Sequence, residues 1–263
     1  MGSIASCGKQ RTLESDGAVE EQDEAIYNAL TMMYAGQEDS PLATSRPMRN
    51  DHLPAVEQLR RANRKWTRIS AGYDIGVRML FGPFWRRWQD SVLPFAQGRV
   101  LEVGCGTGAL LQRLAGRRDA VGVDVSVGML NKAAARLGRN GAGRLVRADA
   151  QRLPFKDGSF DAALSTFALT AVPDLHAALA EMVRVTRDGG KVVVVSVGNP
   201  ASASRLTRMA TAVWRAAGDT IRDEAAALRA LELRPSAMEF GPFGSVHLVV
   251  AVKSSKASHS QNS

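Results

Sequence analysis

Short apolar runs alternate with amphipathic stretches along the middle of the chain, from Arg99 to about Asn199. The apolar runs are rich in β-branched residues, which is typical of strands buried on both faces of a sheet; they are RVLEVG, DAVGVDVS, GRLVRADA, FDAALSTF and KVVVVSVG. The amphipathic stretches carry apolar residues at helical spacing; they are ALLQRLAG, GMLNKAAARLG and LHAALAEMVRVT. Strands that alternate with helices predict an α/β fold with an open, doubly wound sheet.

The stretch before this region predicts a helical lid. PAVEQLRRANRKWTRI has an apolar stripe and a second face on which Arg60, Arg64 and Arg68 recur every four residues. The following FGPFWRRWQD sets aromatic residues beside Arg86 and Arg87, a mixture suited to a lipid interface or to the cover of an apolar pocket. We favour the cover, because a ligand site at the edge of the sheet needs something to close it.

Charge divides the chain further. Eight acidic residues and no Lys or Arg lie between Glu14 and Ser45, although the whole chain carries a formal charge of +8. Such a block predicts an acidic, partly disordered segment over residues 1–50, or alternatively an amphipathic helix that docks on the basic face of the lid. We therefore predict a lid over 51–96, an α/β domain over 97–252 and a disordered tail over 253–263.

The first strand leads into a loop with glycines at 104, 106 and 108. In a doubly wound sheet this turn forms the floor of the ligand site, and bare backbone there admits a close ligand. Asp124 follows Gly104 by 20 residues at the end of the second strand, where a carboxylate can accept bonds from ribose hydroxyls. On spacing alone, the loop fits a nicotinamide dinucleotide as well as a nucleoside such as S-adenosylmethionine.

Four stretches between about Tyr73 and Gly198 share a family pattern; they are VLEVGCGTG, VGVDVSVGML, RADAQRLPFKDGSFDAALS and EMVRVTRDGGKVVVV. As a set they resemble the class I S-adenosylmethionine-dependent methyltransferases, in the branch of the ubiquinone and menaquinone C-methyltransferases and phospholipid N-methyltransferases. The resemblance disfavours a dehydrogenase. It implies a Rossmann-like, seven-stranded sheet with an antiparallel last strand, S-adenosylmethionine as cofactor, and direct in-line methyl transfer to a small, apolar or lipid-like acceptor.

The resemblance also implies which residues hold the cofactor, and it implies no metal. Glu102 would lie near the cationic methionine part, Asp124 at the ribose and Asp149 at the adenine edge. The full set of implied cofactor-binding residues is Glu102, Gly104, Cys105, Gly106, Gly108, Asp124, Val125, Ser126, Met129, Asp149 and Ala150.

The acceptor side departs from the family pattern. Many relatives carry a histidine soon after the fourth strand, where STFALTAVPD has Thr170, and a neutral hydroxyl is a poor base. Tyr73 and Asp74 in SAGYD resemble the tyrosine-containing segment of the family, so the catalytic candidates are Tyr73, Asp74 and Thr170. The missing histidine leaves a second hypothesis, a non-catalytic protein that binds S-adenosylmethionine or a partner.

Absent motifs and the N-terminus bear on partners and location. No N/D-P-P-Y/F follows the fourth strand and no RNA-binding module is evident, so a small-molecule acceptor is expected rather than nucleic acid. MGSIASC matches the myristoylation pattern at Gly2, which together with the basic aromatic lid predicts contact with a membrane surface. No apolar signal-peptide core follows Met1, so the expected location is cytoplasmic, with peripheral membrane attachment as the alternative.

Overall fold

The computed structural model describes residues 53–115, 119–138, 144–198, 212, 220–241 and 244–254. The predictions for the acidic segment, for acylation at Gly2, for most of the stretch 199–219 and for the end of the tail lie outside these residues.

The described residues form a seven-stranded sheet with the order β3-β2-β1-β4-β5-β7-β6. Its strands are β1 Arg99–Val103, β2 Asp119–Asp124, β3 Leu145–Arg147, β4 Phe160–Thr166, β5 Thr186–Val197, β6 Ser236–Phe240 and β7 Val246–Val252. The pairs from β3 to β5 are parallel, and β7 runs antiparallel to both of its neighbours. The predicted doubly wound sheet with an antiparallel last strand is therefore confirmed.

Helices precede the sheet and connect its strands. They are α1 Leu53–Ser70, α2 Tyr73–Phe81, α3 Pro83–Asp90, α4 Ala109–Ala115, α5 Val127–Leu137, α6 Leu175–Val185 and α7 Glu224–Ala230. Side chains cap three of them: the Ser126 hydroxyl accepts a bond from Met129 N in α5, and the carboxylates of Asp174 and Asp223 accept bonds from Ala177 N in α6 and Ala226 N in α7. No described helix is both long enough and apolar enough to cross a bilayer.

The lid region and the sheet share one apolar core. Trp88 of α3 is 6% exposed and belongs to the same buried cluster as Leu164 of β4 and Val195 of β5. Burying aliphatic side chains of this size stabilises a fold by about 1.5–3 kcal/mol each. Helix α3 is thus fixed to the sheet, and α1 and α2 precede it along the chain.

Candidate active site

A cavity of about 900 Å³, counting its open mouth, lies at the carboxyl ends of β1, β2 and β4. This is the edge at which open α/β sheets bind ligands, because the connecting turns leave a crevice there. From the lid, Ala62, Trp66 and Tyr73 contribute to its wall. The lid prediction thus has a structural counterpart, a helix that lies over the crevice.

The three glycines of the first loop serve different purposes. A Cβ at Gly104 would lie 2.1 Å from the Cβ of Ala168, and one at Gly108 would lie 2.8 Å from the Cβ of Ala133. A Cβ at Gly106 would meet no described atom within 4 Å, although its φ of 53° also favours glycine. Gly104 and Gly108 are therefore demanded by packing, whereas Gly106 leaves the cavity surface open to a ligand.

Asp124 joins the two loops that frame the cavity. Its Oδ2 accepts a bond from Gly106 N at 2.9 Å, and its Oδ1 accepts one from Ser126 N at 2.8 Å. Burial raises the pKa of Asp124, and these backbone donors oppose that shift. The carboxylate thus held lies on the cavity wall, where it can accept a further bond from a diol.

Glu102 lies deeper than the sequence suggests. It is 1% exposed and is not among the described residues that line the cavity. Its Oε2 has no hydrogen-bond partner in the described part of the chain. Burial raises the pKa of Glu102 to about 8, while the charge of Arg113 acts in the opposite direction. A cation brought close to this carboxyl would favour its charged form, which fits the ammonium of an amino acid.

The carboxylate of Asp149 accepts hydrogen bonds from Gln151, a residue that was not predicted from the sequence. The amide nitrogen of the Gln151 side chain donates to both oxygens of Asp149 at 3.0 Å, and its Oε1 accepts a bond from Asp174 N at 3.0 Å. Gln151 also lines the cavity. The only local signal for it is its place two residues after Asp149, in the same turn.

Helix α1 is clamped to the start of α5. The Thr67 and Ser126 hydroxyls lie 3.0 Å apart, and Asn63 Oδ1 and Thr67 Oγ1 accept bonds from the backbone nitrogens of Val127 and Gly128. A Cβ at Gly128 would lie 2.8 Å from the Cα of Thr67, so glycine permits this approach. Asn63 and Thr67 were not expected from the sequence.

Asp74 ties α2 to the glycine loop. Its Oδ1 accepts a bond from Thr107 Oγ1 at 2.7 Å, and its Oδ2 accepts one from Arg136 Nη2 at 2.5 Å. Arg136 also donates to Thr107 Oγ1 at 2.7 Å. Asp74 is not among the described wall residues, whereas its neighbour Tyr73 is, with its ring edge-on to Trp66 at 6.3 Å between centroids.

Thr170 lies behind the wall. It is 2% exposed, it is not among the described residues that line the cavity, and its hydroxyl donates to the carbonyl of Phe167 at 3.3 Å. Its own carbonyl accepts a bond from Thr220 N at 3.3 Å. The structure thus gives the hydroxyl of Thr170 a partner in its own turn.

The predicted cofactor residues divide into two groups. Those on the cavity wall are Gly104, Gly106, Asp124, Val125, Met129, Asp149 and Ala150. Those not among the described wall residues are Glu102, Cys105, Gly108 and Ser126. Cys105 packs in the core, and burial raises the pKa of its thiol.

Phe167 is a wall residue without any signal in the sequence. Its φ is 58°, a left-handed conformation that costs a side-chain-bearing residue about 1–2 kcal/mol. Its ring stacks on Trp85 of α3, with 4.2 Å between centroids and 25° between planes. The turn after β4 therefore joins the cavity wall to the lid region.

This chain is similar in sequence to known methyltransferases. Residues 101–194 match the family model described as a methyltransferase domain. A demethylmenaquinone methyltransferase of Roseiflexus castenholzii is 35% identical over 161 residues, 58% of this chain and 67% of that protein. A demethylmenaquinone methyltransferase of Mycolicibacterium vanbaalenii is 44% identical over 119 residues, 44% of this chain and 50% of that protein. The chain thus spans from half to two thirds of the length of these relatives.

Among solved structures, an S-adenosylmethionine-dependent methyltransferase of Thermotoga maritima superimposes with a TM-score of 0.58 at 20% identity. The match covers 72% of this chain and 98% of that protein. At this identity the likeness shows the fold, and it agrees with the sheet described above.

Proposed function

The chain belongs to the class I S-adenosylmethionine-dependent methyltransferases, in the branch of the quinone methyltransferases, and we propose on that basis that it methylates a small, apolar acceptor of the quinone or lipid type. The observation that carries the proposal is a single cavity with two kinds of wall. Asp124 and Asp149 lie at the ends of β2 and β3, and an apolar turn from Phe167 to Pro173 follows β4. The methyltransferase names of the relatives favour catalysis over a non-catalytic binding protein.

The residues present fit S-adenosylmethionine, the cofactor of this family. The Oε2 of Glu102, which has no hydrogen-bond partner among the described residues, suits a cationic amino acid. The open surface at Gly106 suits a close ligand, and Asp124 suits a ribose diol. The cofactor supplies a sulfonium methyl group that is already activated. The chain has to hold donor and acceptor in line and to exclude water, and positioning of this kind provides much of the rate.

Of the three catalytic candidates, we retain Tyr73. The ionisable side chains on the described wall belong to Tyr73, Asp124 and Asp149, and the two carboxylates are assigned to the cofactor. A phenol on the lid can hydrogen-bond an acceptor oxygen and orient it. Asp74 positions the lid helix in this proposal, and Thr170 supports the turn after β4.

Labelled methyl groups test the proposal. The protein is incubated with methyl-labelled S-adenosylmethionine and reduced quinones or a lipid extract, and we expect label in the organic phase. Calorimetry with S-adenosylhomocysteine, the demethylated product, is the companion measurement. Binding of the product without transfer to any acceptor would favour the non-catalytic hypothesis, and absence of binding would contradict both.

We also propose that the outer surface of the lid brings the protein to a membrane. Four of the six exposed large apolar side chains of the described residues belong to the lid helices, with exposed fractions of 41% for Ile69, 65% for Ile75, 83% for Met79 and 57% for Phe84. Ile75 and Met79 share one face of α2, and the exposed Arg78 lies between them. Apolar side chains beside cations suit the surface of an anionic bilayer.

Vesicle binding tests the membrane proposal. We expect the protein to co-sediment with phosphatidylglycerol vesicles, more weakly with phosphatidylcholine vesicles, and less in high salt. Replacing both Ile75 and Met79 by Asp should abolish sedimentation, whereas Met238→Asp on β6, where that residue is 63% exposed, should not. Acylation at Gly2 is a separate prediction, which the mass of the native protein tests.

A further inference from the structure

Among the described residues of the cavity wall, Phe167 is the one that has a positive φ although it carries a side chain. It is one of two non-glycine residues with positive φ in the described part of the chain. The other, Glu232, comes just after α7, where a left-handed residue ends a helix. Phe167 directly follows strand β4, so no helix end explains it. Strained backbone of this kind persists where the surrounding structure holds it, and it gathers at ligand sites.

The turn at Phe167 is fixed from three directions. Its backbone nitrogen donates to the carbonyl of Val195 in β5 at 2.7 Å. Its ring stacks on Trp85 of α3. The next residue, Ala168, fills the space beside Gly104, where a Cβ would collide with it. Strand, lid and glycine loop together keep Phe167 on the cavity wall.

Phe167 lies on the side of the cavity that the predicted cofactor-binding residues do not line. Asp124 ends β2, Asp149 follows β3, and the glycine loop follows β1; β4 lies on the other side of β1 in the sheet. The wall after β4 is apolar, with Phe167 as its aromatic ring among the described residues; its other members include Leu169, Val172 and Pro173. An acceptor beside the cofactor therefore meets this side.

From this arrangement we propose that Phe167 is a specificity-determining residue, whose ring packs against a flat, conjugated acceptor ring such as that of a quinol. The inference rests on the proposed methyl transfer and names its acceptor class. Aromatic rings attract one another beyond the area that they bury, and a saturated ring lacks this attraction. Trp85 backs the Phe167 ring, so the lid helix α3 sets the tilt of the acceptor wall.

Binding of an unreactive quinone tests the inference without turnover. In the presence of saturating S-adenosylhomocysteine, calorimetry gives the affinity of 1,4-naphthoquinone and of a saturated bicyclic diketone. We expect Phe167→Leu to weaken naphthoquinone binding about tenfold and the saturated ligand less than about twofold. Phe167→Tyr keeps the ring and should bind naphthoquinone like the wild type. Phe95→Leu removes a half-buried ring that is not among the described wall residues, and it serves as the matched control.

Two results would overturn the inference: unchanged naphthoquinone affinity in Phe167→Leu, or an equal loss for the saturated ligand. Either result can occur while S-adenosylhomocysteine binds and methyl transfer proceeds, so the proposed function would survive it. Failure of the product to bind any form of the protein would instead contradict the proposed function. Circular dichroism checks folding, and Phe167→Met provides the same comparison if Phe167→Leu does not fold.

Discussion

The floor of the cavity and its lid are held by different kinds of bonds. On the floor, the nitrogens of Gly104 and Cys105 both donate to the carbonyl of Val123, and Asp124 is gripped by backbone donors. In the lid, the ties run through side chains such as Thr67 and Asp74, at the surface or half-buried. Backbone bonds within a buried sheet open only with the fold, whereas side-chain ties open singly. The difference predicts a preformed floor under helices α1 and α2, which can open while α3 stays fixed to the sheet.

Removal of the Asp124 carboxylate from the floor is expected to have the largest effect. Asp124→Ala removes the acceptor for a ribose diol and the tie between the two loops, so we expect S-adenosylhomocysteine to bind on the order of 100-fold more weakly. Calorimetry measures this, and a thermal melt confirms that the variant folds. Asp119→Ala, at the exposed start of the same strand, is the control. Retained affinity in Asp124→Ala would show that the cofactor binds elsewhere.

A second prediction concerns pH and again the floor. Burial raises the pKa of Glu102 to about 8, so the folded protein keeps a proton that the unfolded chain releases near its ordinary pKa of 4.5. Stability is therefore lost as pH rises from above that value towards 8. Between about pH 6 and 8 the loss should reach roughly 2 kcal/mol, or several degrees in Tm.

Glu102→Gln should flatten this slope, as measured by thermal melts across the same pH range. The difference between the two proteins separates Glu102 from Glu224, whose pKa burial raises to about 7. Parallel slopes for wild type and variant would mean that Glu102 is charged in the free protein. In the wild type, product affinity should rise with pH, because a bound cation favours the charged carboxylate.

The fold and the floor were predictable because their signals are local. The glycine loop, Asp124 and Asp149 each stand at or just after the end of a strand, and the structure places all three at one edge of the sheet. The residues that were missed depend on contacts between distant parts of the chain. Thr67 meets Ser126 across 59 positions, and Phe167 is distinguished by a backbone angle that no pattern encodes.

Position along the chain also suggested catalytic roles for two residues whose side chains make other contacts in the structure. Asp74 follows a wall residue, yet the guanidinium of Arg136 and the hydroxyl of Thr107 engage its carboxylate. Thr170 occupies the place of a family histidine, but a 3₁₀ turn over Leu169–Ala171 buries it. Adjacent residues of one helix or turn point in different directions, so spacing alone could not separate Tyr73 from Asp74.

The third prediction concerns the charge of Asp74, which ties the lid to the glycine loop. Asp74→Asn should lower product affinity about fivefold, chiefly through faster dissociation, because a charge-assisted bond on a half-exposed side chain contributes about 1 kcal/mol. Stopped-flow measurements give the dissociation rate. Glu57→Gln removes another lid carboxylate, which pairs with Arg61 and Arg64 on the exposed face of α1, and it should change nothing. An equal effect of the two variants would point to general lid charge.

The smallest expected effect tests whether helix α1 is held less firmly than the floor of the cavity. Thr67→Val removes the hydroxyl that accepts a bond from Gly128 N and meets Ser126 Oγ, while it keeps the shape of the side chain. If α1 is a lid, the variant should release the product about three times faster, with a Tm in the absence of ligand close to that of the wild type. Ser91→Ala removes a hydroxyl that bonds to the nearby carbonyl of Trp88, and it should affect neither quantity. A fall in Tm with an unchanged release rate would instead make α1 a fixed part of the fold, because its ties would then contribute to folding and not to closure.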